Sequence, residues 1–423
     1  MSDVAPAEIA PVEAAPAEIA PVEAAQRIKS LDVLRGLAIL GILAVNAPFF
    51  SAPWQAAVNP TLEPLAINDA NAWSWFVPHV FFEVKFITLF SLLFGASLFL
   101  VGGARSDLER GKVLRRRLFW MLIFGIVHGA AIWFGDILTV YAISGFIMLF
   151  ARSWRPRTLL VTGGVLYVLL CGLAALSAGA LTLISANSVE EMRLQVWAPV
   201  AESVEATIAA FGGSFSDSLN ANFEAWKAFM PFEIFNTVPR TIALMMIGLG
   251  LFKVGFLSGK APLVAYASGI AVGAVALAIV AYQATLNSAA GFDFVHMQTR
   301  GALVNPALSI LISLAYASAL ILCVKAGVLT FLTNALAPVG QMAFTNYIAQ
   351  SVIMTTIFYG GRGLGLYGEV ERDTLMGVVG GVWALQLVWS PLWLSRFKMG
   401  PLEWVWRRLS YGKALAIRKA VTA

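Results

Sequence analysis

The chain has 423 residues, of which 59% are hydrophobic and only 13% are charged, and its mean hydropathy is +0.77. Apolar runs of about 20 residues recur along it, the length that an α-helix needs to cross a bilayer. This composition excludes an ordinary soluble protein and predicts an all-α, polytopic integral membrane bundle. The formal charge of +5 arises from basic residues clustered in short loops. We therefore expect the lipid bilayer, and no nucleic acid, as their partner.

Residues 1–29 differ in composition and do not belong to the membrane domain. The decapeptide APAEIAPVEA occurs at 5–14 and again at 15–24, and its Ala, Pro and Glu content cannot bury enough apolar surface to fold. The segment is predicted to be a disordered acidic tail. It is a poor signal peptide because its apolar residues are not contiguous. The membrane domain is expected to occupy 30–415, and a short cytoplasmic tail 416–423.

About ten apolar stretches are candidate helices of the membrane bundle. They lie at 31–50, 78–101, 115–134, 137–151, 158–185, 239–257, 262–286, 302–324, 332–358 and 375–395. Basic residues precede the first stretch and follow the second, fourth, eighth and tenth. The positive-inside rule then places all these basic loops, and both termini, on the cytoplasmic side.

The long segment 186–238 is predicted to be an insertion that faces the exterior. It carries seven carboxylates against two basic residues, and its aromatic residues alternate with polar ones. That pattern favours helices lying at the membrane interface. Two interpretations stay open: an aromatic belt, or a lid over an exterior-facing cavity.

The first stretch, from Ser30 to Asn46, reads SLDVLRGLAILGILAVN and carries polar groups that a simple anchor does not need. Asp32 and Arg35 are three residues apart, so they can neutralise each other on one face of a helix. Asn46 lies near the far end. Polar and ionisable groups inside a bilayer are expensive, and they generally mark functional positions.

The most suggestive ionisable residue is His128, in the third stretch. It lies 11 residues beyond Arg117, about 16 Å along a helix axis and near the middle of a ~30 Å hydrocarbon core. Asp136 or Glu83 would fix its tautomer and raise its basicity, so these three residues are catalytic candidates, as a general base and its orienting carboxylate. The alternative is structural, with His128 bonded across a helix interface. Three scattered histidines lack metal-ligand spacing, so we expect no metal.

Six further polar side chains are candidates for binding a substrate: Asn46, His79, Lys85, Arg240, Asn346 and Tyr347. For His79, at a helix start, a structural role at the interface is the alternative. Arg240 either faces an anionic group or balances Glu233. Asn346 and Tyr347, in the ninth stretch, either line a cavity or hydrogen-bond between helices.

Four separated motifs, in this order, make the chain resemble a known family. They are Ser30 to Asn46, Lys85-Phe86 to Gly95, His128-Gly129 to Leu138 with Tyr141, and Gly400-Pro401-Leu402-Glu403-Trp404-Val405-Trp406-Arg407. Over about residues 28–415 the chain resembles the YeiB-type bacterial membrane proteins, also called the domain of unknown function 418 family. The resemblance implies a multi-pass protein of the bacterial inner (plasma) membrane.

The first-helix pattern is also similar to that of transmembrane acyltransferases, including the heparan-glucosaminide acetyltransferase type and the acyltransferases that decorate bacterial surface glycans. This similarity implies transfer of an acyl group from cytoplasmic acyl-coenzyme A, a co-substrate and not a permanent cofactor, to an envelope glycan or lipid. Carried over to this chain, His128 with Asp136 deprotonates the acceptor. Four cations would meet the coenzyme phosphates: Arg35, Arg115, Arg116 and Arg117. The first helix departs from the glycan acyltransferases, because it contains no histidine.

Two other classes of function stay open. In a transporter or flippase the same polar groups line a path, and Asp136 and Glu83 relay protons. The membrane part shows no convincing internal repeat, which an inverted-repeat transporter would have. A non-catalytic structural membrane protein is the third possibility, and the sequence says nothing about oligomeric state.

Overall fold

The computed structural model describes residues 28–419. Residues 1–27, which hold the decapeptide repeat, and residues 420–423 of the predicted cytoplasmic tail lie outside the described part. The described chain consists of helices joined by turns, with one isolated β-bridge between Phe397 and Arg418. The predicted all-α membrane bundle is confirmed.

The helices of residues 28–419 are numbered in chain order. They are α1 (Lys29–Ser51), α2 (Trp54–Val58), α3 (Trp73–Val77), α4 (Lys85–Gly102), α5 (Leu108–Val127), α6 (Leu138–Met148), α7 (Pro156–Ala180), α8 (Ala186–Val196), α9 (Ala201–Gly212), α10 (Phe215–Phe232), α11 (Val238–Lys253), α12 (Leu263–Ala289), α13 (Phe294–His296), α14 (Ala302–Ala326), α15 (Thr330–Gln341), α16 (Ala343–Phe358), α17 (Arg372–Arg396) and α18 (Pro401–Tyr411). π-Helical turns adjoin them at Pro78–Phe82, His128–Ile132, Glu233–Thr237 and Met297–Gly301.

Seven stretches within residues 28–419 are long and apolar enough to cross a bilayer. They are Lys29–Ser51, Trp73–Gly102, Pro156–Leu183, Phe215–Lys253, Leu263–Ala289, Phe294–Ala326 and Arg372–Arg396. The other three predicted segments correspond to α5, whose first half is basic, to the 11-residue apolar helix α6, and to the pair α15 and α16, which is broken at Met342. The predicted count of about ten is therefore approximate.

Helix α1 lies at the centre of the bundle, and its closest contacts depend on glycine. It packs on α4, α15, α16 and α17. A Cβ added at Gly36 would lie 2.0 Å from the carbonyl oxygen of Leu336, and one added at Gly340 would lie 1.9 Å from that of Asp32. Small residues let helix backbones approach closely in a membrane, where packing drives association. This approach holds the Asp32 end of α1 inside the bundle.

Helices α7 and α12 lie at the periphery. Their outer faces carry large exposed apolar side chains, among them Val165, Val168 and Leu173 on α7 and Val272 and Val275 on α12. A contiguous apolar surface of this kind marks contact with another apolar phase. Together with the seven apolar spans, it indicates association with the lipid bilayer.

The predicted insertion 186–238 folds as α8, α9, α10 and the π-helical turn that follows. Helix α10 continues through that turn into α11 as one apolar stretch, and it packs on the π-helical turn that begins at His128. The Asn222 side chain of α10 donates to the carbonyl oxygens of Gly129 at 2.9 Å and Ala130 at 3.1 Å. The insertion therefore covers the segment that carries His128, and the side of the membrane that it faces stays a prediction.

Candidate active site

A break between two helices brings His128 and Asp136 together. After α5, the chain makes the π-helical turn His128–Ile132, and Trp133 is extended (φ −152°) before α6 begins. π-Helical turns shift the register of backbone hydrogen bonds and occur frequently at functional sites. Nδ1 of His128 lies 2.9 Å from Oδ1 of Asp136, and the two side chains are 1% and 0% exposed.

Asp136 keeps its position because its carboxylate also caps α6. It accepts hydrogen bonds from the backbone N–H groups of Leu138 at 3.1 Å and Thr139 at 2.8 Å, and such N–H groups have no partner within the helix. A carboxylate accepts from the imidazole N–H, so Nδ1 of His128 is the donor. Nε2 is then left as the acceptor in the neutral ring.

Nε2 of His128 contacts a residue that sequence reasoning missed. Oγ of Ser351, on α16, lies 2.9 Å from it. The serine is fully buried, and with Nδ1 donating to Asp136 its hydroxyl donates to Nε2. The result is a buried hydrogen-bonded chain, Ser351–His128–Asp136, which we call the Ser–His–Asp chain. The ring of Tyr347 lies beside it, 5.1 Å from the imidazole.

A cavity of about 190 Å³, which we call the small cavity, adjoins Asp136. Asn46 of α1, Trp133 and Glu233 line it, together with Val84. Trp133, Glu233 and Val84 each lie in or next to a break in a helix, and Val84 has a left-handed backbone (φ 66°). Irregular backbone at membrane depth is tolerated where it lines a cavity. Three interruptions of the bundle therefore meet at this space.

Two buried polar atoms of residues that line the small cavity have no hydrogen-bond partner within residues 28–419. They are Nε1 of Trp133 and Oε2 of Glu233. Leaving a buried polar group unpaired costs about 1–3 kcal/mol, and more when the group is charged. The wall of the cavity thus contains one donor and one acceptor that lack a partner among the described residues. Much of the remaining wall is aromatic: Phe49, Phe82, Phe86, Phe134 and Phe229.

A larger cavity of about 890 Å³, the large cavity, extends from the same junction to α18. Ile42 and Ile137 line both cavities. Near Ile137 the wall is apolar and includes Phe90 and Phe94, whereas the α18 end is rich in charged side chains. The volume falls within the range of about 300–1,000 Å³ that is typical of ligand pockets.

Four guanidinium groups and four carboxylates line the large cavity: Arg35, Arg110, Arg117, Arg407, Asp32, Asp107, Glu109 and Glu403. Arg35 lies 3.1 Å from Asp32 and also donates to Oγ of Ser97 at 2.8 Å. The guanidinium of Arg117 stacks 4.1 Å above the ring of Trp406. Arg35 and Arg117 thus line the wall while each is held by a protein contact.

Two of the four arginines predicted to meet coenzyme phosphates do not reach this cavity. Arg115 and Arg116 are exposed, whereas Arg117 lines the wall. With 3.6 residues per turn, neighbouring helical residues point about 100° apart, so three consecutive arginines cannot share one face. Arg35 and Arg117 are the members of the predicted set that the structure brings together.

Glu403 fastens α18 across the end of the large cavity. Its carboxylate accepts from the backbone N–H groups of Phe344 at 2.7 Å and Thr345 at 3.1 Å, and from the Thr345 hydroxyl at 2.5 Å. It thereby caps the start of α16. Burial raises the pKa of Glu403 above its usual value, and these hydrogen bonds oppose the rise.

Glu83 has a different histidine partner from the one considered for it. Its Oε2 lies 2.6 Å from Nδ1 of His79, four residues earlier. Lys85 is fully buried and donates to the carbonyl of His79 at 2.8 Å and to Oδ1 of Asn305 at 2.5 Å. Val84, whose backbone is left-handed, lies between Glu83 and Lys85, so these two side chains point in different directions. Glu83, His79 and Lys85 therefore form a group beside α14, and none of them lines the small cavity.

Arg240 contacts α14. It donates to the carbonyl of Pro306 at 3.1 Å and to Oγ of Ser309 at 3.0 Å. Its considered partner Glu233 lines the small cavity instead, and no ion pair in the described part of the chain joins the two. Arg240 thus ties α11 to α14.

Asn346 and Tyr347 are neighbours on α16 with different surroundings. Asn346 is fully buried and donates to the carbonyl of Val339 at 3.0 Å and to Oγ of Ser390 at 3.1 Å, so it joins α15, α16 and α17. Tyr347 lines the large cavity. Of the six substrate-binding candidates, Asn46 and Tyr347 reach a cavity wall.

Fold and site define a polytopic helical membrane protein with a buried Ser–His–Asp chain beside two cavities. The family model described as "Protein of unknown function (DUF418)" matches residues 251–413. The chain is 32% identical over 406 residues to the uncharacterized protein YeiB of Escherichia coli (strain K12), which covers 91% of this chain and 96% of YeiB. It is 31% identical over 415 residues to the uncharacterized protein YxaH of Bacillus subtilis (strain 168), at 91% and 94% coverage. The chain belongs to this DUF418 family of YeiB-like bacterial membrane proteins. No solved structure matches it significantly.

Proposed function

We propose that this protein is an inner-membrane acyltransferase that moves an acyl group from cytoplasmic acyl-coenzyme A to an envelope glycan or lipid. The observation that carries the proposal is the junction of the two cavities at Ile42 and Ile137, beside Asp136. An acyltransferase has to hold the acceptor atom within reach of the carbonyl carbon of the donor's thioester. Two spaces that adjoin at a buried acid–base group supply that arrangement.

The large cavity suits the donor. Its charged end carries Arg35 and Arg117, which would contact the coenzyme phosphates, and its apolar inner part would take the acyl end. Ile42 lies seven residues beyond Arg35, about 10 Å along α1. A chain anchored at the guanidinium groups would thus extend toward the junction. The predicted cytoplasmic side of α18 agrees with a cytoplasmic donor.

The Ser–His–Asp chain suits the proton transfer. As the acceptor oxygen attacks the thioester carbonyl, its proton passes to the Ser351 hydroxyl while the serine proton moves to Nε2 of His128. Of the Ser–His–Asp chain only Asp136 lines a cavity in this structure, so the step requires a movement that exposes the Ser351 hydroxyl at the junction. The carbon–sulfur bond breaks, and coenzyme A leaves as the thiolate, which takes up the proton that His128 releases and so restores the neutral imidazole. Asp136 stabilises the imidazolium that forms. The acylated acceptor and coenzyme A are the products.

The test is coenzyme A release and label transfer by the purified protein in nanodiscs, where both faces are accessible. Labelled acetyl-coenzyme A is the donor and an envelope extract is the acceptor. His128→Ala should lower the transfer rate by about 10²–10⁴-fold, the contribution typical of a general base. His296→Ala is the matched control, because His296 contacts Asn287 at 3.1 Å and lies outside both cavities. Equal turnover by the native chain and His128→Ala contradicts the proposal.

A second candidate function is transport, which the same junction favours, because the two cavities would form a path interrupted at Ile42 and Ile137. A transporter predicts solute or lipid flux into sealed liposomes without coenzyme A release. An acyltransferase predicts coenzyme A release in open nanodiscs. Absence of acyl-coenzyme A binding by the folded protein would favour transport.

A further inference from the structure

Glu233 faces the small cavity because two prolines disturb the helix around it. Pro231 lies inside α10, and Pro239 lies at the start of α11. A proline removes one backbone donor, and its ring crowds the carbonyl four residues earlier. The turn between them, Glu233–Thr237, accordingly takes the π-helical register. Glu233 then lines the cavity together with Phe229.

The two unpaired atoms of the small cavity restrict the chemistry of a ligand. Among the described residues, neither Oε2 of Glu233 nor Nε1 of Trp133, a residue that is 2% exposed, has a hydrogen-bond partner. The carboxyl oxygen can accept a hydrogen bond, and the indole N–H can only donate one. An ammonium group has no acceptor to give, and a phosphate or carboxylate anion has no donor. A hydroxyl group is both donor and acceptor. Hydroxyl groups therefore match both atoms.

The wall of the small cavity offers no cation to an anionic ligand. Two carboxylates, Asp136 and Glu233, line the small cavity, and its lining contains no lysine or arginine. No ion pair within residues 28–419 includes Glu233. A negative group on the ligand would therefore be buried without a cation to balance it, which costs free energy in an apolar wall.

The size and surface of the cavity favour a single ring. Its volume of about 190 Å³ lies below the range of about 300–1,000 Å³ found for pockets that hold drug-sized ligands. The rings of Phe49, Phe134 and Phe229 present apolar surface with electron-rich faces. The C–H edges of a pyranose ring suit such faces, and its hydroxyl groups reach the two polar atoms.

We propose that the small cavity binds the acceptor as one uncharged, hydroxyl-bearing sugar ring. Glu233 accepts a hydrogen bond from one hydroxyl group, and Nε1 of Trp133 donates to a second oxygen. The inference rests on the proposed acyltransferase function and names the acceptor class for that site. Glu233 is then an acceptor-binding residue, and proton transfer stays with the Ser–His–Asp chain.

The experiment compares two probes that differ by one charge, methyl β-D-glucopyranoside and methyl β-D-glucuronide. Binding to the full chain is followed by tryptophan fluorescence, which needs no turnover, and acetyl transfer to each probe is measured in parallel. We expect the glucoside to bind at least tenfold more tightly than the glucuronide. Glu233→Gln should weaken glucoside binding about tenfold and reduce the preference over the glucuronide, while the KM for acetyl-coenzyme A is unchanged. Trp133→Phe should remove most of the fluorescence change.

Glu224→Gln is the matched control, because Glu224 lies exposed on α10 and pairs with Lys227 at 2.8 Å; it should behave as the native chain. Three results overturn the proposal: equal binding of both probes, binding of neither by the folded native chain, or an unaltered preference in Glu233→Gln. If the glucoside binds as expected but no acyl group is transferred, the sugar site stands, and the proposed acyltransferase function has failed.

Discussion

Replacing Asp136 by Asn tests whether the Ser–His–Asp chain is chemical or only structural. The carboxylate accepts hydrogen bonds from His128 and from the backbone N–H groups of Leu138 and Thr139. An Asn side chain has the same shape but only one accepting oxygen, so its NH₂ group points at one of these donors. Either a backbone N–H stays unpaired, or His128 changes tautomer and presents Nδ1 as an acceptor.

The two consequences have different sizes. Loss of one buried hydrogen bond lowers the free energy of unfolding by about 1–3 kcal/mol, which leaves a folded protein. The tautomer change places the hydrogen of His128 on Nε2, which then cannot take a proton. The corresponding substitution in Ser–His–Asp proteases lowers kcat by about 10⁴-fold. We therefore expect Asp136→Asn to lower acyl transfer by about 10²–10⁴-fold.

The assay is coenzyme A release in nanodiscs, with thermal unfolding of the same preparations. Asp293→Asn makes the same chemical change at an exposed cap, where Asp293 accepts from the backbone N–H of His296 at 2.9 Å. Asn and Asp are nearly equivalent at such caps, so this control should keep native turnover and stability. Native turnover by Asp136→Asn, together with a lowered melting temperature, would refute the reasoning. The Ser–His–Asp chain would then be a structural crosslink between helices.

Gly340→Ala would place a methyl group 1.9 Å from the carbonyl oxygen of Asp32, so we expect thermal unfolding to show a loss of about 1–3 kcal/mol. Gly377→Ala, with no atom within 4 Å, should show none. Trp406→Ala removes the ring beneath a cavity-lining guanidinium, and should raise the KM for acyl-coenzyme A by up to about fivefold with kcat unchanged, since a cation–π contact is worth about 0.5–1 kcal/mol. The folded-state pKa of Glu403 is raised, so its stabilising contribution is present below the unfolded-state pKa and is lost as pH rises through the folded-state pKa. In Glu403→Gln, the fall of the melting temperature that comes from deprotonation of Glu403 should be absent.

Each of these expectations has a contrary result. Equal melting of the two glycine variants would show that α1 and α15 can separate without cost. An unchanged KM in Trp406→Ala would remove the α18 end of the large cavity from donor binding. An identical pH slope in Glu403→Gln would show that another group titrates in that range.

Local features of the chain were predictable, because they depend on neighbours in sequence. Apolar runs indicated the membrane helices, and the spacing of Asp32 and Arg35 indicated a pair that the structure places at 3.1 Å. The approach of His128 and Asp136 was also within reach of sequence reasoning, since eight residues separate them. A turn between two helices can close such a gap.

Contacts between distant segments were not predictable in the same way. Ser351 reaches His128 across 223 residues, and a serine in a membrane helix gives no separate signal of such a contact. The sequence suggested Glu233 only as an ion-pair partner of Arg240. The π-helical turn that places Glu233 in the cavity wall leaves no recognisable pattern in the sequence. The left-handed backbone at Val84 likewise separates Glu83 from the site, although its position in the second apolar stretch made it a natural partner for His128.

Ile42 and Ile137 are shared by both cavities, and this has an electrical consequence. In a bundle that spans the bilayer, water in the large cavity would bring one bulk phase up to these two side chains. With the small cavity hydrated from the opposite side, the insulating layer would be about one residue thick at this point, and the membrane voltage would fall mainly across it. Moving a unit charge through that voltage is worth about 2.3 kcal/mol per 100 mV. Besides separating two substrates, the isoleucine pair would have to act as an electrical seal against proton leakage.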